Sequence, residues 1–352
     1  MYNLEDGAAN PYIPHQFSID QLRETFDYRY EELPTMLLQD SIDSHVHAGP
    51  VLTSNPGYKD PIEIAIEARE AGMKALVYYD VFGWASGTAW MVNRHVKGIQ
   101  TFGGYLMNSC HGGMNPRAVK TALKMGDGCR FISFGSHCTY YQASRETTLV
   151  DGKLVPLKDQ YPKFRDEELS RAVRIELQDP VPPELDEILS MVAEHKEVYL
   201  NVGHVSVEEA LRLVELAERY GIEKVLICHP VRARMTVEQQ IQLASKGIFL
   251  EGCAVDFTYP PAPRTHYYVE KEYRDMSDAL PFMHKGAYSF FEVLKAVGPD
   301  QIVLGTDYGI RSAPSAVQGM RTMISSLLDF EFTTEDIIKM VSKNPARLIG
   351  IE

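Results

Sequence analysis

Eight short runs rich in β-branched and aromatic residues follow one another from about residue 40 to the C-terminus, and stretches of helical period separate them. The run KALVYYDVF and the stretch LRLVELAERY show the two patterns. The runs span 41–47, 74–82, 101–108, 130–136, 197–203, 224–229, 248–252 and 301–306. Strands that alternate with helices form parallel βαβ units, and eight such units close into a barrel. The sequence therefore predicts an α/β protein with the (β/α)8 TIM-barrel fold.

Helix-capping patterns mark where several predicted helices begin and end. Ser206 and Glu209 form the S-x-x-E capping box of a helix that Gly221 closes, and Thr236 opens a similar stretch that ends at Gly247. An open doubly wound sheet is the alternative arrangement of such units. Its phosphate-binding patterns, G-x-G-x-x-G and G-x-x-x-x-G-K-[ST], do not follow the first strand, which favours the barrel.

Three segments lie outside the repeating pattern. Residues 1–39 precede the first strand and form an N-terminal extension to a barrel domain of residues 40–352. Residues 138–182 and 254–287 are long connections after the fourth and seventh strands. In a barrel such connections lie at the carboxyl ends of the strands, where active sites are found, so we predict that they are lid or specificity loops.

The charge and the cysteine content exclude several classes of function. Acidic side chains outnumber basic ones by 48 to 35, a net charge of −13, so we expect no nucleic-acid partner. The five cysteines form no C-x-x-C pair, which is typical of reduced thiols in a cytoplasmic protein. The N-terminus does not resemble a signal peptide, and no run approaches the roughly 20 apolar residues of a membrane helix. We expect a cytoplasmic protein that does not bind membranes.

The first strand ends with the sequence Asp43-Ser-His45-Val-His47. Residues two apart on a strand point to the same side, so both imidazoles are expected to face inward together. Two neutral imidazoles on one rigid strand supply half of a tetrahedral metal site. An isolated H-x-H pair is weak evidence, because it occurs in many sequences by chance.

Three more candidate ligands stand at strand ends. His204 ends the fifth strand, His229 ends the sixth, and Asp307 follows the eighth. Each has an ordinary structural alternative, respectively a helix cap, a buried core histidine and a turn residue. In a barrel, however, the carboxyl ends of all strands meet at one mouth. Together with the H-x-H pair, these positions predict a metal site.

At these residues the sequence resembles the amidohydrolase superfamily, whose members carry H-x-H after strand one, histidines after strands five and six, and an aspartate after strand eight. IVLGTDYG (302–309) is similar to the strand-eight signature of that superfamily, and TTEDIIKMVSKNPARLIGI (333–351) to its closing helices. GGMNPRAVKTAL (112–123) and LNVGHVSVEEALRL (200–213) resemble a branch of uncharacterised function. The resemblance covers about residues 40–351 and concerns fold and metal, not substrate.

The resemblance also implies a ligand set for one divalent ion, zinc first, with manganese or iron as alternatives. The implied ligands are His45, His47, His204 and Asp307. Members with two ions carry a bridging lysine or glutamate at strand four, where this sequence has FGSHC, with His137 and neither residue. One ion is therefore expected, although Glu251 at the end of strand seven leaves a second ion open.

A bound divalent ion lowers the pKa of its water from about 15.7 towards 7 and polarises a carbonyl group. The resemblance implies that Asp307 acts as general base and then acid, and that His229 stabilises the oxyanion or shuttles a proton. We expect a metal-dependent hydrolase that cleaves a C–N bond of a small amide, lactam or amidine. Weaker candidates for substrate contact, from positions at the rim and from the bidentate geometry of arginine, are His111, His137, Arg232, Arg234, Glu251 and Arg311.

Two other functions stay open at the level of sequence. Superfamily members with one metal include non-oxidative decarboxylases of aromatic or unsaturated acids, and the missing strand-four lysine suits that reaction. Release of carbon dioxide without a new amine would distinguish it. A barrel that binds metal or ligand without catalysis is the second alternative and predicts metal without turnover. The resemblance is also compatible with a homo-oligomer.

Overall fold

Parallel strands form the centre of the molecule. The computed structural model describes residues 32–49, 59–231, 233–258, 290–309 and 313–351. The strands are Ile42–Val46 (β1), Ala75–Tyr78 (β2), Gln100–Gly103 (β3), Tyr105–Leu106 (β4), Phe131–Ser133 (β5), Thr147–Val150 (β6), Lys153–Pro156 (β7), Tyr199–Asn201 (β8), Val225–Ile227 (β9), Phe249–Cys253 (β10) and Ile302–Gly305 (β11). A strand lies in each of the eight predicted runs, and the third run contains both β3 and β4. The predicted positions of the strands are thus confirmed.

Two parallel sheets contain nine of these strands. One has the order β1-β2-β3, and the other has the order β11-β10-β9-β8-β5-β4. Gly104 alone separates β3 from β4, so one extended segment contributes an edge strand to each sheet. At the opposite edges β1 runs beside β11, because the N–H of Asp307 donates to the His45 carbonyl at 2.7 Å and the Ser44 hydroxyl donates to the Leu304 carbonyl at 3.0 Å.

Helices connect the parallel strands, as crossovers between such strands require. Those that the structure bounds are Glu32–Leu38 (α1), Pro61–Glu70 (α2), Ala85–His95 (α3), Pro116–Ala122 (α4), Tyr140–Ala143 (α5), Leu157–Gln160 (α6), Pro183–Ala193 (α7), Val207–Tyr220 (α8), Val237–Ser245 (α9), Val255–Thr258 (α10), Ala316–Asp329 (α11), Thr334–Ile338 (α12) and Asn344–Ile349 (α13). The capping box predicted at Ser206 is present, and the helix opened by Thr236 has one as well: the side chains of Ser206 and Thr236 accept the N–H groups of Glu209 and Gln239.

The strands separate two clusters of buried apolar side chains. The larger cluster includes residues on the helices, among them Leu213 of α8 and Met320 of α11. The smaller cluster comes mainly from the strands themselves, and its members include Ile42, Val77, Tyr79, Phe131, Tyr199, Leu226, Phe249 and Val303. Since alternate residues of a strand face opposite sides, this division is what parallel strands covered by helices produce.

The long connection after β5 has secondary structure of its own. An antiparallel hairpin of β6 and β7 turns at Asp151 and Gly152, both of which have positive φ angles. The connection predicted after the seventh strand, 254–287, lies largely outside the described residues, as do residues 1–31 of the N-terminal extension. Among the helices that the structure describes, none is both long enough and apolar enough to cross a bilayer.

Candidate metal centre

The first strand and the last strand bring three of the predicted ligands together. His45 lies on β1, His47 follows that strand, and Asp307 follows β11. The Oδ1 atom of Asp307 is 2.9 Å from His47 Nε2 and 3.7 Å from His45 Nε2. The ligand atoms of these three residues all lie within 4.8 Å of one another. Residues 260 positions apart thus meet at one end of the strands, as the pattern of strand ends predicts.

Each of three imidazoles has its Nδ1 atom against a hydrogen-bond acceptor. His45 Nδ1 is 3.0 Å from Glu251 Oε1, and His47 Nδ1 is 2.7 Å from the carbonyl oxygen of Tyr79. His229 Nδ1 lies 3.3 Å from a carboxylate oxygen of Asp256. Acceptors in these positions put the ring proton on Nδ1 and leave the Nε2 lone pair for a metal, which is how ligating histidines are commonly held.

The Nε2 atoms of the same imidazoles face a carboxylate as well. Both His45 and His47 face Oδ1 of Asp307, and His229 Nε2 is 3.7 Å from Oδ2 of Asp307. A neutral imidazole has a single N–H, so it cannot donate to acceptors on both of its sides. A cation between Nε2 and Asp307 resolves this conflict, and either an added proton or a metal ion can supply it.

The distances fit a small divalent ion. Zinc binds nitrogen and oxygen ligands at about 2.0–2.2 Å, so neighbouring ligands of a tetrahedral site are about 3.4 Å apart. The two Nε2 to Oδ1 distances, 2.9 and 3.7 Å, bracket that separation. His45 is 4% exposed and Asp307 6%, and so the group lies away from bulk water. The residues present therefore fit a divalent metal.

His204 and Cys228 form a second group with His229. The imidazoles of His204 and His229 are 5.2 Å apart, and the ligand atoms of His204, Cys228 and His229 lie within 4.8 Å of one another. His204 thus groups with Cys228 and His229 and not with the first three ligands. A further overlapping group consists of His45, His229, Glu251 and Cys253.

Two residues of the site have left-handed backbone conformations. The φ angle is 46° at His229 and 52° at Asp307. Side chains other than glycine adopt this region at a cost of about 1–2 kcal/mol, and such strain clusters at functional sites. Gly309 permits the close approach of the two strands here, since a Cβ atom at that position would lie 1.7 Å from the His47 carbonyl oxygen.

Burial and neighbouring charges shift the pKa values of the site. Burial raises the pKa of Asp43 to about 6, although hydrogen bonds from Thr306 and His45 act in the opposite direction. Burial alone would lower the pKa of His45, but the Glu251 carboxylate outweighs it and the pKa is raised. Burial likewise opposes ionisation of Glu251, yet His45 holds the pKa of that carboxyl below its ordinary value. In the metal-free protein these two residues form a buried ion pair.

The remaining predicted residues occupy different surroundings. His137 is buried, its Nδ1 is hydrogen-bonded to the Glu146 carboxylate, and its ring is 5.4 Å from that of His204. His111 stacks on Tyr105, and a hydrogen bond with the Cys110 thiol raises the pKa of this histidine to about 9. Arg234 is exposed on the turn after β9.

Arg232 and Arg311 lie outside the described residues. Three partners of the site did not emerge from the sequence, namely Tyr79, Asp256 and Cys228. Tyr79 comes directly after β2 and Cys228 directly after β9, so their positions at strand ends carried a signal. Asp256 lies beyond the end of β10 and carried none.

The comparisons with known proteins agree with the fold. A family model described as a family of unknown function, DUF6282, matches residues 40–251. Among solved structures, the probable dipeptidase PvdM from Pseudomonas aeruginosa is 13% identical with a TM-score of 0.55, and the match covers 90% of this chain and 96% of that one. A zinc-bound amidohydrolase from Burkholderia multivorans is 12% identical with a TM-score of 0.52, over 89% and 99%.

A third solved structure, dihydropyrimidinase from Brevibacillus agri, is 10% identical with a TM-score of 0.50, over 89% of this chain and 71% of that one. No curated protein matches the sequence. At these identities the likeness concerns the fold alone. The chain therefore shares its fold with solved amidohydrolase structures, as the resemblance in its sequence implies.

Proposed function

The chain belongs to the DUF6282 family, a family of unknown function, and we propose that it is a metal-dependent hydrolase of a small molecule. The observation that carries this proposal is the arrangement of three buried or half-buried histidines. Each has one ring nitrogen against an acceptor and the other facing Asp307. Hydrogen bonding of neutral imidazoles leaves one side of each ring unmatched. A cation bound at Asp307 supplies the missing partner of His45 and His47, and His229 Nε2 faces the other oxygen of Asp307.

The proposed architecture is a (β/α)8 barrel of residues 40–352 with residues 1–39 as an extension. Support comes from the single segment that contributes β3 and β4 to the two sheets, and from the hydrogen bonds between β1 and the residues after β11. The apolar cluster contributed by the strands is what fills the interior of such a barrel. The candidate ligands then lie at the carboxyl ends of the strands, the catalytic side of this fold.

We assign the ion to His45, His47 and Asp307. The sequence also assigned His204, but that residue lies beside Cys228 and His229. Three protein ligands with an open fourth position are typical of catalytic zinc sites. The zinc-bound relative from Burkholderia multivorans supports zinc, and manganese or iron stay alternatives.

When bound, the cation lowers the pKa of a water molecule and polarises the carbonyl group of the substrate. Asp307 supplies the proton transfer: it takes the proton of the attacking water and returns it to the leaving nitrogen. Its Oδ2 atom is 3.7 Å from His229 Nε2, so His229 is placed to take that proton onward. The Nδ1 proton of His229 is directed to Asp256, so the Nε2 atom offers its lone pair towards Asp307. His229 can donate a hydrogen bond to an oxyanion only after Nε2 has been protonated.

We propose a C–N bond in a small amide, lactam or amidine as the substrate. The structural relatives named dipeptidase, amidohydrolase and dihydropyrimidinase support this class. Substrate contacts are assigned to His137, which lies next to His204, and to His111 at the end of β4. Glu251 is assigned instead to hold His45. Arg234, which is exposed after β9, is assigned to bind a carboxylate group of the substrate.

Elemental analysis of the purified chain tests the metal assignment. We expect one tightly bound ion at this position, and affinity reduced on the order of 100-fold or more in His47→Ala and Asp307→Ala, since each removes a ligand. His95→Ala is the matched control, because this exposed histidine is bonded only to the Met91 carbonyl in the structure. Unchanged metal content in both ligand variants would contradict the assignment.

The reaction itself is tested with the metal-loaded chain and a panel of dipeptides, N-acyl amino acids, hydantoins and dihydropyrimidines. The expected products of each cleaved bond are one carboxylate and one nitrogen group, an amine from a dipeptide or N-acyl amino acid and a ureido group from a hydantoin or dihydropyrimidine. Both are expected to be lost in Asp307→Asn. Release of carbon dioxide from an aromatic or unsaturated acid, with no new amine, would show that the protein is a decarboxylase and not a hydrolase. Bound metal without turnover across the panel and those acids would support the non-catalytic alternative.

A further inference from the structure

We propose that Cys110 is a reactive thiol that small peroxides oxidise to a sulfenic acid, with His111 and Tyr105 as the groups that assist the reaction. The three residues belong to one short stretch of chain: β4 contains Tyr105, and the turn Ser109–His111 follows at the carboxyl end of that strand. The reaction requires neither the metal ion nor hydrolysis, and so it goes beyond the proposed function. The sequence alone predicted reduced thiols and did not distinguish among them.

Cys110 differs from the other four cysteines in its exposure. It is exposed, whereas the remaining thiols are buried, namely those of Cys129, Cys138, Cys228 and Cys253. Burial raises the pKa of Cys129 to about 12 and that of Cys138 to about 11, so these two thiols stay protonated and unreactive at neutral pH. A dissolved oxidant therefore meets one accessible sulfur.

His111 supplies a positive charge beside that sulfur. Its Nδ1 atom is 3.2 Å from the carbonyl oxygen of Leu106, and the Cys110 sulfur and the Phe82 backbone are further hydrogen-bond partners of the ring. An imidazolium has two N–H groups and a neutral imidazole one, so the protonated ring matches these partners better. The hydrogen bond with Cys110 has the largest effect, and the pKa of His111 is raised to about 9 although burial opposes it.

The ring of Tyr105 favours the same protonated state. It stacks on His111 with centroids 5.5 Å apart and on Trp84 with centroids 5.0 Å apart. An aromatic face stabilises a cation that lies within about 6 Å of its centroid. An imidazolium beside a sulfur in turn favours the thiolate, which is the form that attacks electrophiles.

The hydroxyl of Tyr105 is a second and independent observation that points to a ligand. Tyr105 is 0% exposed, and its hydroxyl has no hydrogen-bond partner among the residues that the structure describes. Buried polar atoms of proteins are nearly always bonded. Burial, and after it the charge of the Cys110 sulfur, raise the pKa of this hydroxyl to about 12, so it keeps its proton and lies within electrostatic reach of the sulfur. An oxygen atom bonded to Cys110 supplies the missing partner.

The reaction balances with a peroxide as the only co-reactant. The thiolate attacks one oxygen of hydrogen peroxide, so that an S–O bond forms and the O–O bond breaks. Sulfur is oxidised, the peroxide is reduced, and the electron pair of the O–O bond leaves with the second oxygen. His111 donates its proton to that oxygen and water departs, while the proton that left the thiol restores the imidazolium. The Tyr105 hydroxyl donates to the oxygen that stays on sulfur.

Kinetics of thiol modification test the proposal. The full-length chain, loaded with zinc so that no redox-active metal is present, is treated at pH 7 with hydrogen peroxide and separately with iodoacetamide. Dimedone labelling and mass spectrometry identify the sulfenic acid. We expect Cys110 to react with peroxide at least about tenfold faster than N-acetylcysteine does. Cys110→Ser is expected to lose the dimedone adduct, and Cys129→Ser, which removes a buried thiol, is the matched control and keeps it.

Two further variants separate the roles of the neighbours. His111→Gln retains a hydrogen-bonding side chain without the charge, and it is expected to slow both reagents by about tenfold or more, because the thiolate loses its cation. Tyr105→Phe retains the ring. It is expected to slow peroxide about fivefold, as the loss of one hydrogen bond implies, and to leave iodoacetamide unchanged, because alkylation adds no oxygen to the sulfur.

A wild-type rate equal to that of N-acetylcysteine with both reagents overturns the inference, and so do dimedone adducts that persist in Cys110→Ser. Equal rates in the wild type and His111→Gln also overturn it. If either neighbour variant does not fold, as circular dichroism shows, the comparison of the wild type with N-acetylcysteine decides. All of these results are independent of hydrolysis, so their failure leaves the proposed function intact.

Discussion

The ring of Tyr79 stacks on the imidazole of His45, with centroids 3.8 Å apart, and the Tyr79 carbonyl accepts the Nδ1 hydrogen of His47. One residue therefore orients both histidines of the H-x-H pair. The hydroxyl of Tyr79 points away from the site to Tyr199, at 2.9 Å, and accepts from the Asn201 amide at 3.0 Å. The ring and the hydroxyl thus serve different ends, which substitutions can separate.

Two variants of Tyr79 separate its effect on the orientation of His45 from its effect on the stability of the fold. Tyr79→Phe keeps the ring but leaves the buried Tyr199 and Asn201 groups short of a partner, so we expect a loss of about 1–3 kcal/mol in the free energy of unfolding with unchanged metal affinity. Tyr79→Leu also removes the stacking, and metal affinity is expected to fall on the order of tenfold. Chemical denaturation and metal titration of both variants measure the two effects. Equal metal affinity in both would show that the ring does not orient His45.

The ion pair of His45 and Glu251 predicts a pH dependence in the metal-free chain. The pKa of His45 is raised above 6.5, so its contribution to stability is complete below pH 6.5 and is lost as the pH rises through the raised value. The pKa of Glu251 is lowered below 4.5, so its contribution is complete above pH 4.5 and is lost as the pH falls through the lowered value. Stability from this pair is greatest between pH 4.5 and 6.5.

Glu251→Gln tests that pair. Removal of the carboxylate leaves the burial of His45 opposed only by the smaller effects of Asp307 and Asp43, so the pKa of His45 is expected to fall. Histidine resonances of the metal-free protein, followed by NMR against pH, measure it. The decline of stability above pH 6.5 should flatten in the same variant. A His45 pKa that stays raised would mean that Asp307 and not Glu251 sets it.

Ionisation of Asp43 destabilises the metal-free protein as the pH rises. Its pKa of about 6, against an ordinary 3.8, means that ionisation costs about 3 kcal/mol of stability at neutral pH in the metal-free protein. The penalty grows as the pH rises from 3.8 to about 6 and is relieved as the pH falls. Asp43→Asn keeps an acceptor for the Thr306 N–H and should remove this part of the pH dependence. Unfolding at pH 4 and pH 7 in both proteins gives the comparison.

Gly309 controls the approach of the first strand to the last. Gly309→Ala places a Cβ atom 1.7 Å from the His47 carbonyl oxygen at a φ angle of 95°. We expect a loss of more than about 3 kcal/mol and weaker metal binding, because the contact displaces His47 from Asp307. Gly247→Ala is the matched control: its φ angle is 82° and nothing lies within 4 Å, so it bears only the backbone cost of about 1 kcal/mol. Similar losses in both variants would exclude a steric role for Gly309.

Much of this arrangement could be predicted from the sequence, because periodicity and caps report local structure directly. The eight strand positions and the helices opened by Ser206 and Thr236 followed from those patterns. His45, His47 and Asp307 followed from their places at strand ends. The hairpin of β6 and β7 was not predicted, although Asp151-Gly152 between two β-branched runs is a strong hairpin signal.

The grouping of His204 with Cys228 could not be predicted in the same way. A strand end fixes where a side chain begins, whereas the left-handed turn at His229 decides which neighbours it reaches. Likewise the stacking of Tyr79 on His45 depends on the stagger between β1 and β2. Side-chain partners on different strands are set by tertiary geometry, which local sequence patterns do not report.

The two carboxylate oxygens of Asp307 face different histidines, Oδ1 towards His47 and Oδ2 towards His229. Its charge is therefore shared between two adjoining positions. Whichever position is filled first draws on that charge and changes the affinity of the other, and thermodynamic linkage makes this effect equal in both directions. Metal binding beside Oδ1 is thus expected to be weakened by positive charge beside Oδ2, and this coupling free energy disappears in Asp307→Asn.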